Sequence, residues 1–369
     1  FVYGIALIYG ATGTTQLGQI ADFLSTHVLK NPALLLAGTA LVLVGFAFKV
    51  AAVPFHAWSP DVYEGSPTPI VGFMASVVKV GAFTAVLRVL ASGLYTQQSA
   101  WRPMVVALAA ASMLVGAILA LLQRNVKRML AYSSISHAGF VLLGLWAATP
   151  RGTSSALYYL ATYAVMIVGT FAIVAVVSDG GREDLSEYRG LAADHPLLAA
   201  SLTVLLLAQA GVPFTTGFLA KLGVIESALS QLGAVGATLG AIAMVSAAIG
   251  AYFYLRVVLL AYAGAAATAP EPALAGVYAG ADLAVPVRRL SALGAALLLD
   301  AGADPQDVAT STSSATPATP RGDLGQRGFT TPLATAVVIA CCVVPTVVLG
   351  IWAGPLADLT QRATMLFHP

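Results

Sequence analysis

The chain consists largely of apolar runs long enough to cross a lipid bilayer, and three of these runs contain a lysine. The lysines are Lys49, Lys79 and Lys221. A membrane span needs about 20 mostly apolar residues, and an ammonium group at the bilayer centre costs roughly 2.5–3.5 kcal/mol on insertion scales. Because lysine gives up its proton readily when it is desolvated, three retained lysines predict that the protein moves ions.

The length and number of the apolar runs predict an all-α, polytopic transmembrane helix bundle. Of the 369 residues, 58% are hydrophobic and 9% are charged, whereas soluble domains carry about 25% charged residues. Helices are expected because each backbone polar group must be satisfied within its own span. The runs cover residues 1–13, 33–56, 67–93, 103–122, 129–148, 154–178, 196–229, 234–262 and 332–353. A net charge of +2 gives no reason to expect a nucleic-acid partner.

Changes in composition divide the chain into three parts. Residues 1–262 are expected to form a transmembrane core of about eight helices, and residues 332–369 a C-terminal transmembrane helix and tail. Residues 263–331 are rich in Ala, Gly, Pro, Ser and Thr, which predicts a flexible extramembrane insert. The chain begins with Phe1 inside an apolar run, so we expect further N-terminal helices to precede it. The basic turn at residues 123–128 predicts that its side of the membrane is cytoplasmic.

Two of the predicted spans contain a proline in the same tripeptide, Val53-Pro54-Phe55 and Val212-Pro213-Phe214. Proline removes a backbone hydrogen bond and opens a helix. Paired broken helices in two halves of a membrane chain indicate a transporter's midplane site, and each tripeptide here lies within a few turns of a lysine. The alternative is that both prolines merely kink their helices, as prolines in membrane helices often do.

Lys79 and His137 lie deep in other predicted spans. Lys79 could be paired with a carboxylate for structural reasons alone, but Glu226 is the only acidic residue well inside a predicted span. His137 is surrounded by serines, and histidine as a residue type suits proton transfer because its ordinary pKa is close to neutrality. This favours a proton relay over a merely hydrogen-bonded histidine. We find no phosphate-binding glycine loop and no cluster of Cys or His ligands, so we expect no cofactor in this chain.

Three long strings carry a resemblance to a known family. They are residues 48–69 (FKVAAVPFHAWSPDVYEGSPTP), 125–139 (NVKRMLAYSSISHAG) and 211–221 (GVPFTTGFLAK). With the tyrosine-rich residues 252–256, they make the chain resemble the antiporter-like membrane subunits of respiratory complex I, the NADH–quinone oxidoreductase, and its subunit N branch most. The resemblance covers residues 1–262 and resumes near residue 332.

The resemblance implies inverted five-helix repeats with two broken helices, of which this chain would hold the sixth to the fourteenth of fourteen helices. Lys49 and Lys221 then match the lysines of the two broken helices, Lys79 the central lysine, and His137 a polar position on the hydrophilic axis between them. In the family, a glutamate on an earlier helix pairs with the lysine at the Lys49 position. The insert at residues 263–331 departs from the family, which has a short connection there.

The implied function is proton translocation in the membrane arm of the complex, in the bacterial plasma (inner) membrane. The implied partners are a neighbouring antiporter-like subunit, small membrane subunits and the lipid bilayer. NADH, FMN, Fe–S clusters and quinone would belong to the parent complex. Two alternatives stay open: a subunit of a multisubunit cation/proton antiporter, which shares the fold, and a non-pumping scaffold subunit.

Overall fold

The protein folds as an assembly of helices, which confirms the predicted all-α class. The computed structural model describes residues 1–29, 32–178, 183–231, 233–264 and 331–367. Within these ranges there is no β-strand, and the only isolated β-bridge pairs Asn125 with Asp184. The predicted insert at 263–331 lies outside the described residues except at its two ends, so its flexibility stays a prediction.

The helices follow one another with short connections. In chain order they are α1 (Val2–Thr12), α2 (Leu17–Thr26), α3 (Pro32–Val50), α4 (Trp58–Gly65), α5 (Thr68–Phe73), α6 (Lys79–Leu87), α7 (Gln98–Leu121), α8 (Val126–Trp146), α9 (Pro150–Val177), α10 (Leu191–Asp194), α11 (Pro196–Ala210), α12 (Thr216–Leu229), α13 (Ala234–Tyr262), α14 (Leu333–Ile351) and α15 (Gly354–Ala363). Two π-helical turns, Met74–Val78 between α5 and α6 and Arg88–Gly93 after α6, make Thr68–Gly93 one continuous helical segment.

Seven of the described helical segments are long and apolar enough to cross a membrane. Most of the nine predicted runs correspond to one such segment. The exceptions are the first run, where α1 has only 11 residues, and the run at 196–229, which forms the two shorter helices α11 and α12. The prediction that this long run is interrupted is therefore confirmed.

Both predicted breaks occur at the proline tripeptides. Helix α3 ends at Val50, and residues 51–57 leave the helix before α4 begins. Helix α11 ends at Ala210, and the left-handed φ of 90° at the next residue, Gly211, closes the helix. Helix α12 restarts after Thr215, whose hydroxyl accepts a hydrogen bond from the N–H of Phe218 at 3.4 Å. Proline removes one backbone hydrogen bond at each break, and left-handed residues beside it, Ala51 at the first break and Gly211 at the second, turn the chain out of the helix.

Helix α8 lies at the centre of the bundle, and 94% of the residues in its most apolar 18-residue stretch are buried. Helix α7 approaches it closely at two glycines. A Cβ added to Gly116 would lie 2.5 Å from the N of Ser136, and one added to Gly139 would lie 2.7 Å from the N of Met113. Small residues of this kind let membrane helices pack backbone to backbone. The central helix also carries His137 and the serines around it.

Two short amphipathic helices, α2 and α15, were not predicted. Helix α2 turns Ile20 and Leu24 inward, and α15 turns Thr360 inward, while most of their other residues are exposed. Neither segment is long and apolar enough to cross a bilayer, so hydropathy alone does not mark either one. The tail after the last span therefore contains a helix that packs against α9.

Candidate functional site

Lys79 begins α6, directly after the π-helical turn, and its side chain is buried with 4% of the residue exposed. Its Nζ donates to the carbonyl oxygen of Ser134 at 3.1 Å and also to the Ser134 hydroxyl. Among the described residues, Lys79 forms no ion pair. Single π-helical turns often occur at functional sites, and this one places a buried cation against the central helix α8.

His137 lies one turn after Ser134 on α8 and uses both of its ring nitrogens. Nδ1 lies 2.7 Å from the hydroxyl of Tyr159, and Nε2 lies 3.0 Å from the hydroxyl of Tyr254. A neutral imidazole donates from one nitrogen and accepts at the other, and a tyrosine hydroxyl can do both. This arrangement can pass a proton from one tyrosine to the other by exchanging the roles of the two nitrogens.

The Tyr254 hydroxyl extends the row of hydrogen-bonded buried groups, called the buried line below, from His137 toward Lys221. It donates to Oε1 of Gln209 at 3.3 Å and is hydrogen-bonded to the Ser133 hydroxyl. Because Tyr254 donates its proton to Gln209, it accepts from His137 Nε2, which assigns the His137 proton to that nitrogen. Gln209 is fully buried, and its Nε2 donates to Thr170 at 2.7 Å.

Lys221 lies at the other end of this line. Its Nζ donates to the backbone carbonyl oxygens of Gln209 at 2.9 Å and Ala210 at 2.7 Å. These are the last carbonyls of the half-helix α11, where the helix dipole is negative and favours a cation. The Nζ also lies 5.3 Å from the ring centroid of Phe140, close enough for a cation–π attraction. The second broken helix thus creates the binding site for its own lysine.

Tyr163 lies next to the gap between the two hydrogen-bonded groups. Its ring centroid is 4.9 Å from that of His137, and its hydroxyl is buried without a hydrogen-bond partner among the described residues. A buried hydroxyl without a partner costs about 1–3 kcal/mol. Tyr163 therefore adds a buried hydroxyl, unpaired in the described structure, beside His137.

The structure brings Lys79, His137 and Lys221 together but leaves Lys49 apart. Lys49 is exposed in the last turn of α3 and has no hydrogen bond or ion pair within the described part of the chain. The predicted pairing of Lys49 with a glutamate stays a prediction. Glu226 forms an ion pair with Arg151, with 2.7 Å between Oε1 and Nη2, and so is not the partner of Lys221.

Sequence reasoning missed the groups that connect the three buried residues. Tyr159 and Tyr163 are four residues apart on α9, the spacing that places both side chains on one helix face. Gln209 is the only amide in the apolar run of α11. These two signals were available in the sequence, but which residues they face depends on helix packing.

Comparisons with known proteins agree with this architecture. The sequence profile of the NADH:quinone oxidoreductase/Mrp antiporter transmembrane family matches residues 1–262. NADH-quinone oxidoreductase subunit N of Mycobacterium bovis is 45% identical over 292 residues, which are 77% of this chain and 54% of that protein. The chain thus spans about half the length of the curated relatives it matches.

Two solved structures are similar to this one. A chain of respiratory complex I from Thermus thermophilus with bound aureothin has a TM-score of 0.68 and 30% identity, covering 97% of this chain and 64% of that one. A chain of the Mrp complex from a Dietzia species has a TM-score of 0.76 and 25% identity, covering 100% of this chain and 65% of that one.

Proposed function

Because the chain belongs to the NADH:quinone oxidoreductase/Mrp antiporter transmembrane family, we propose that it is a proton-translocating membrane-arm subunit of a bacterial NADH–quinone oxidoreductase. It is a multi-pass membrane protein of a bacterial membrane. In this proposal, NADH, FMN, the Fe–S clusters and quinone belong to the parent complex. Quinone reduction there shifts charge along the membrane arm, and this chain responds by moving protons.

The observation that carries the proposal is the buried line from Lys79 to Lys221. Lys79 contacts Ser134, His137 contacts Tyr254, and Gln209 contacts both Tyr254 and Lys221. Ionisable side chains are rare inside membranes and usually line ion pathways. Two buried lysines with no ion pair among the described residues can each gain and lose a proton without leaving a carboxylate uncompensated.

The transfer is driven by charge moving between neighbouring sites. A unit charge 4 Å away changes the energy of an ammonium by about 4 kcal/mol at an effective dielectric of 20. Since 1.4 kcal/mol is a factor of ten, this corresponds to roughly a thousandfold change in proton occupancy. A positive charge arriving close to Lys79 therefore expels the stored proton of Lys79 toward His137.

The remaining steps use the tyrosines and the second broken helix. His137 accepts the hydroxyl proton of Tyr159 at Nδ1 and releases its Nε2 proton to the Tyr254 hydroxyl. Tyr159 is reprotonated by the proton that left Lys79, and Tyr254 passes its own hydroxyl proton on toward Lys221. Gln209 then acts as a positioning residue, because its side chain holds Tyr254 while its backbone carbonyl holds Lys221. A carbonyl has no proton to give, so the last transfer to the Lys221 amine passes through a water.

The proposal is tested with Lys221→Ala in the complete protein within its membrane complex. The variant should assemble but show lower proton pumping and lower coupled NADH oxidation in inverted membrane vesicles. Normal pumping by an assembled Lys221→Ala complex would show that this lysine is not on the path.

The likeness to an Mrp complex chain favours a second candidate, a subunit of a multisubunit cation/proton antiporter. Copurification of the protein with flavin and Fe–S subunits supports the first function. Sodium-driven proton exchange in the absence of NADH supports the second.

A further inference from the structure

A cavity of about 550 Å³ opens between the first turns of α7 and α13, at the end of the bundle where α8 finishes. Its lining includes Ser99, Arg102, Val106, Trp146, Gln231 and Val235. We propose that this cavity binds an anionic phospholipid, with the lipid phosphate on the Arg102 guanidinium and the acyl chains along the apolar residues below it. The site is separate from the buried line and does not depend on the proposed function.

Arg102 brings an uncompensated positive charge to this cavity. Its guanidinium lies 4.8 Å from the ring centroid of Trp146, and its Nη2 donates to Oε1 of Gln231 at 3.4 Å. Among the described residues, Arg102 forms no ion pair and the cavity lining holds no acidic side chain. A guanidinium has five N–H donors in a planar fork that matches the oxygens of a phosphate. Most of the donors of Arg102 are therefore available to an anion.

The lining changes from polar to apolar from the end of the bundle inward. Ser99, Arg102 and Val106 recur on α7 at intervals of three and four residues, so they share one helix face. Val106 lies about 6 Å deeper than Arg102 at 1.5 Å per residue, and on the α13 side Val235 is 50% exposed. A phospholipid has the same order of groups, with a charged phosphate above apolar chains. A soluble anion has no use for the apolar level.

The cavity lies at the level where lipid headgroups meet the bundle. Both α7 and α13 belong to segments long and apolar enough to cross a membrane, and the cavity is at their first turns. Trp146 is the last residue of α8 at this end, and tryptophan is enriched at membrane–water interfaces. Helix α7 runs from the cavity toward the basic turn at 123–128, so the predicted orientation places the cavity in the outer leaflet.

A lipid phosphate in this cavity strengthens a weak contact between two parts of the chain. Arg102 belongs to α7, whereas Gln231 belongs to the connection between α12 and α13. Their hydrogen bond, at 3.4 Å, is longer than the usual 2.7–3.2 Å. Charge-assisted hydrogen bonds to a phosphate are shorter and roughly twice as strong as neutral ones. An anion therefore replaces or supplements Gln231 as the acceptor of the guanidinium.

The experiment maps lipid contacts on the complete protein in its assembled membrane complex. The complex is reconstituted in phosphatidylcholine bilayers with a small fraction of phosphatidylglycerol that carries a photoactivatable diazirine on one acyl chain. After irradiation, labelled peptides are identified by mass spectrometry and expressed as a share of all label on the chain. Label should concentrate on the α7 and α13 peptides that line the cavity. Arg102→Gln should lower this share by roughly tenfold or more, because losing a charge-assisted hydrogen bond weakens binding by at least that factor.

Arg88→Gln is the matched control, because Arg88 is exposed at the same end of the bundle and does not line the cavity. This variant loses the same charge and should keep its cavity labelling. Phosphatidylcholine with the same diazirine chain should label the cavity peptides severalfold less than phosphatidylglycerol. Equal labelling by the two lipids on the unaltered protein would overturn the proposal even if Arg102→Gln fails to assemble. Labelling that an assembled Arg102→Gln complex retains in full, or lipid displacement by millimolar inorganic phosphate, would overturn it as well.

Discussion

Replacing Lys79 by methionine should stop proton transfer without preventing assembly, because two opposed stability effects nearly offset each other. The change removes an ammonium whose insertion costs roughly 2.5–3.5 kcal/mol. It also leaves the carbonyl and hydroxyl of Ser134 without their donor, which costs about 1–3 kcal/mol. The net change in stability is therefore within about 2.5 kcal/mol of zero, and methionine fills much of the same space.

Lys127→Met provides the matched control, since Lys127 is as well buried as Lys79 but has a structural role. Its Nζ lies 2.5 Å from a carboxylate oxygen of Glu183 and donates to the carbonyl of Ser66 at 3.1 Å. Removing one partner of a buried ion pair costs about 3–5 kcal/mol, and the 28% exposure of Glu183 reduces this cost. Lys127→Met should therefore lower the amount of complex but leave the pumping of each assembled complex unchanged.

The assay compares both variants in inverted membrane vesicles, with complex content measured by native gel electrophoresis. Proton uptake is followed with a pH-sensitive dye while NADH is oxidised. We expect Lys79→Met to have near-normal complex content with reduced pumping and coupled NADH oxidation, and Lys127→Met to show the reverse. Normal pumping per complex in Lys79→Met would refute the role given to Lys79.

Three further changes test other parts of the structure. Gln209→Leu leaves the Tyr254 hydroxyl without its acceptor and should lower the Tm of the purified complex, as expected for a loss of about 1–3 kcal/mol, and slow pumping; an unchanged pumping rate would remove Gln209 from the path. Gly217→Ala would make a Cβ overlap the carbonyl oxygen of Ala208, so it should reduce the amount of complex on native gels, whereas Gly81→Ala, with nothing within 4 Å of the new Cβ, should not. The pKa of Asp184 lies below its usual range because the backbone N–H of Ser186 donates to its carboxylate at 2.8 Å. This hydrogen bond is fully present above the usual aspartate pKa and is lost as the pH falls through the lowered pKa of Asp184. Hydrogen-exchange protection of the Ser186 amide should therefore fall only in acid, and unchanged protection in acid would contradict this assignment.

The two helix breaks could be predicted from the sequence because their cause is local. Pro54 and Pro213 each lack a backbone N–H and lie in the same tripeptide, and this pairing carries the prediction, since Pro345 alone does not break helix α14. The burial of Lys79 and Lys221 could also be predicted, since each lies far from the ends of an apolar run. The exposure of Lys49 could not, because it depends on which neighbours cover the last turn of α3.

The connections between the buried groups depend on tertiary packing and were beyond sequence reasoning. His137 was identified, but its partners Tyr159 and Tyr254 come from helices α9 and α13, which no spacing rule places on either side of α8. The proline tripeptide predicts a helix break near Lys221, but it does not predict that the ligands of the lysine are the carbonyls of the preceding half-helix. Such contacts follow from how helices pack, which apolar periodicity alone does not determine.

The most direct test of the central claim asks whether Lys79 and Lys221 lie on one path. Proton pumping per complex is measured for Lys79→Met, Lys221→Met and the double variant. If the two lysines act in series, the double variant should pump no worse than the more impaired single variant, because residues that work as a unit are not additive. Losses that multiply in the double variant would show two independent paths and contradict the account.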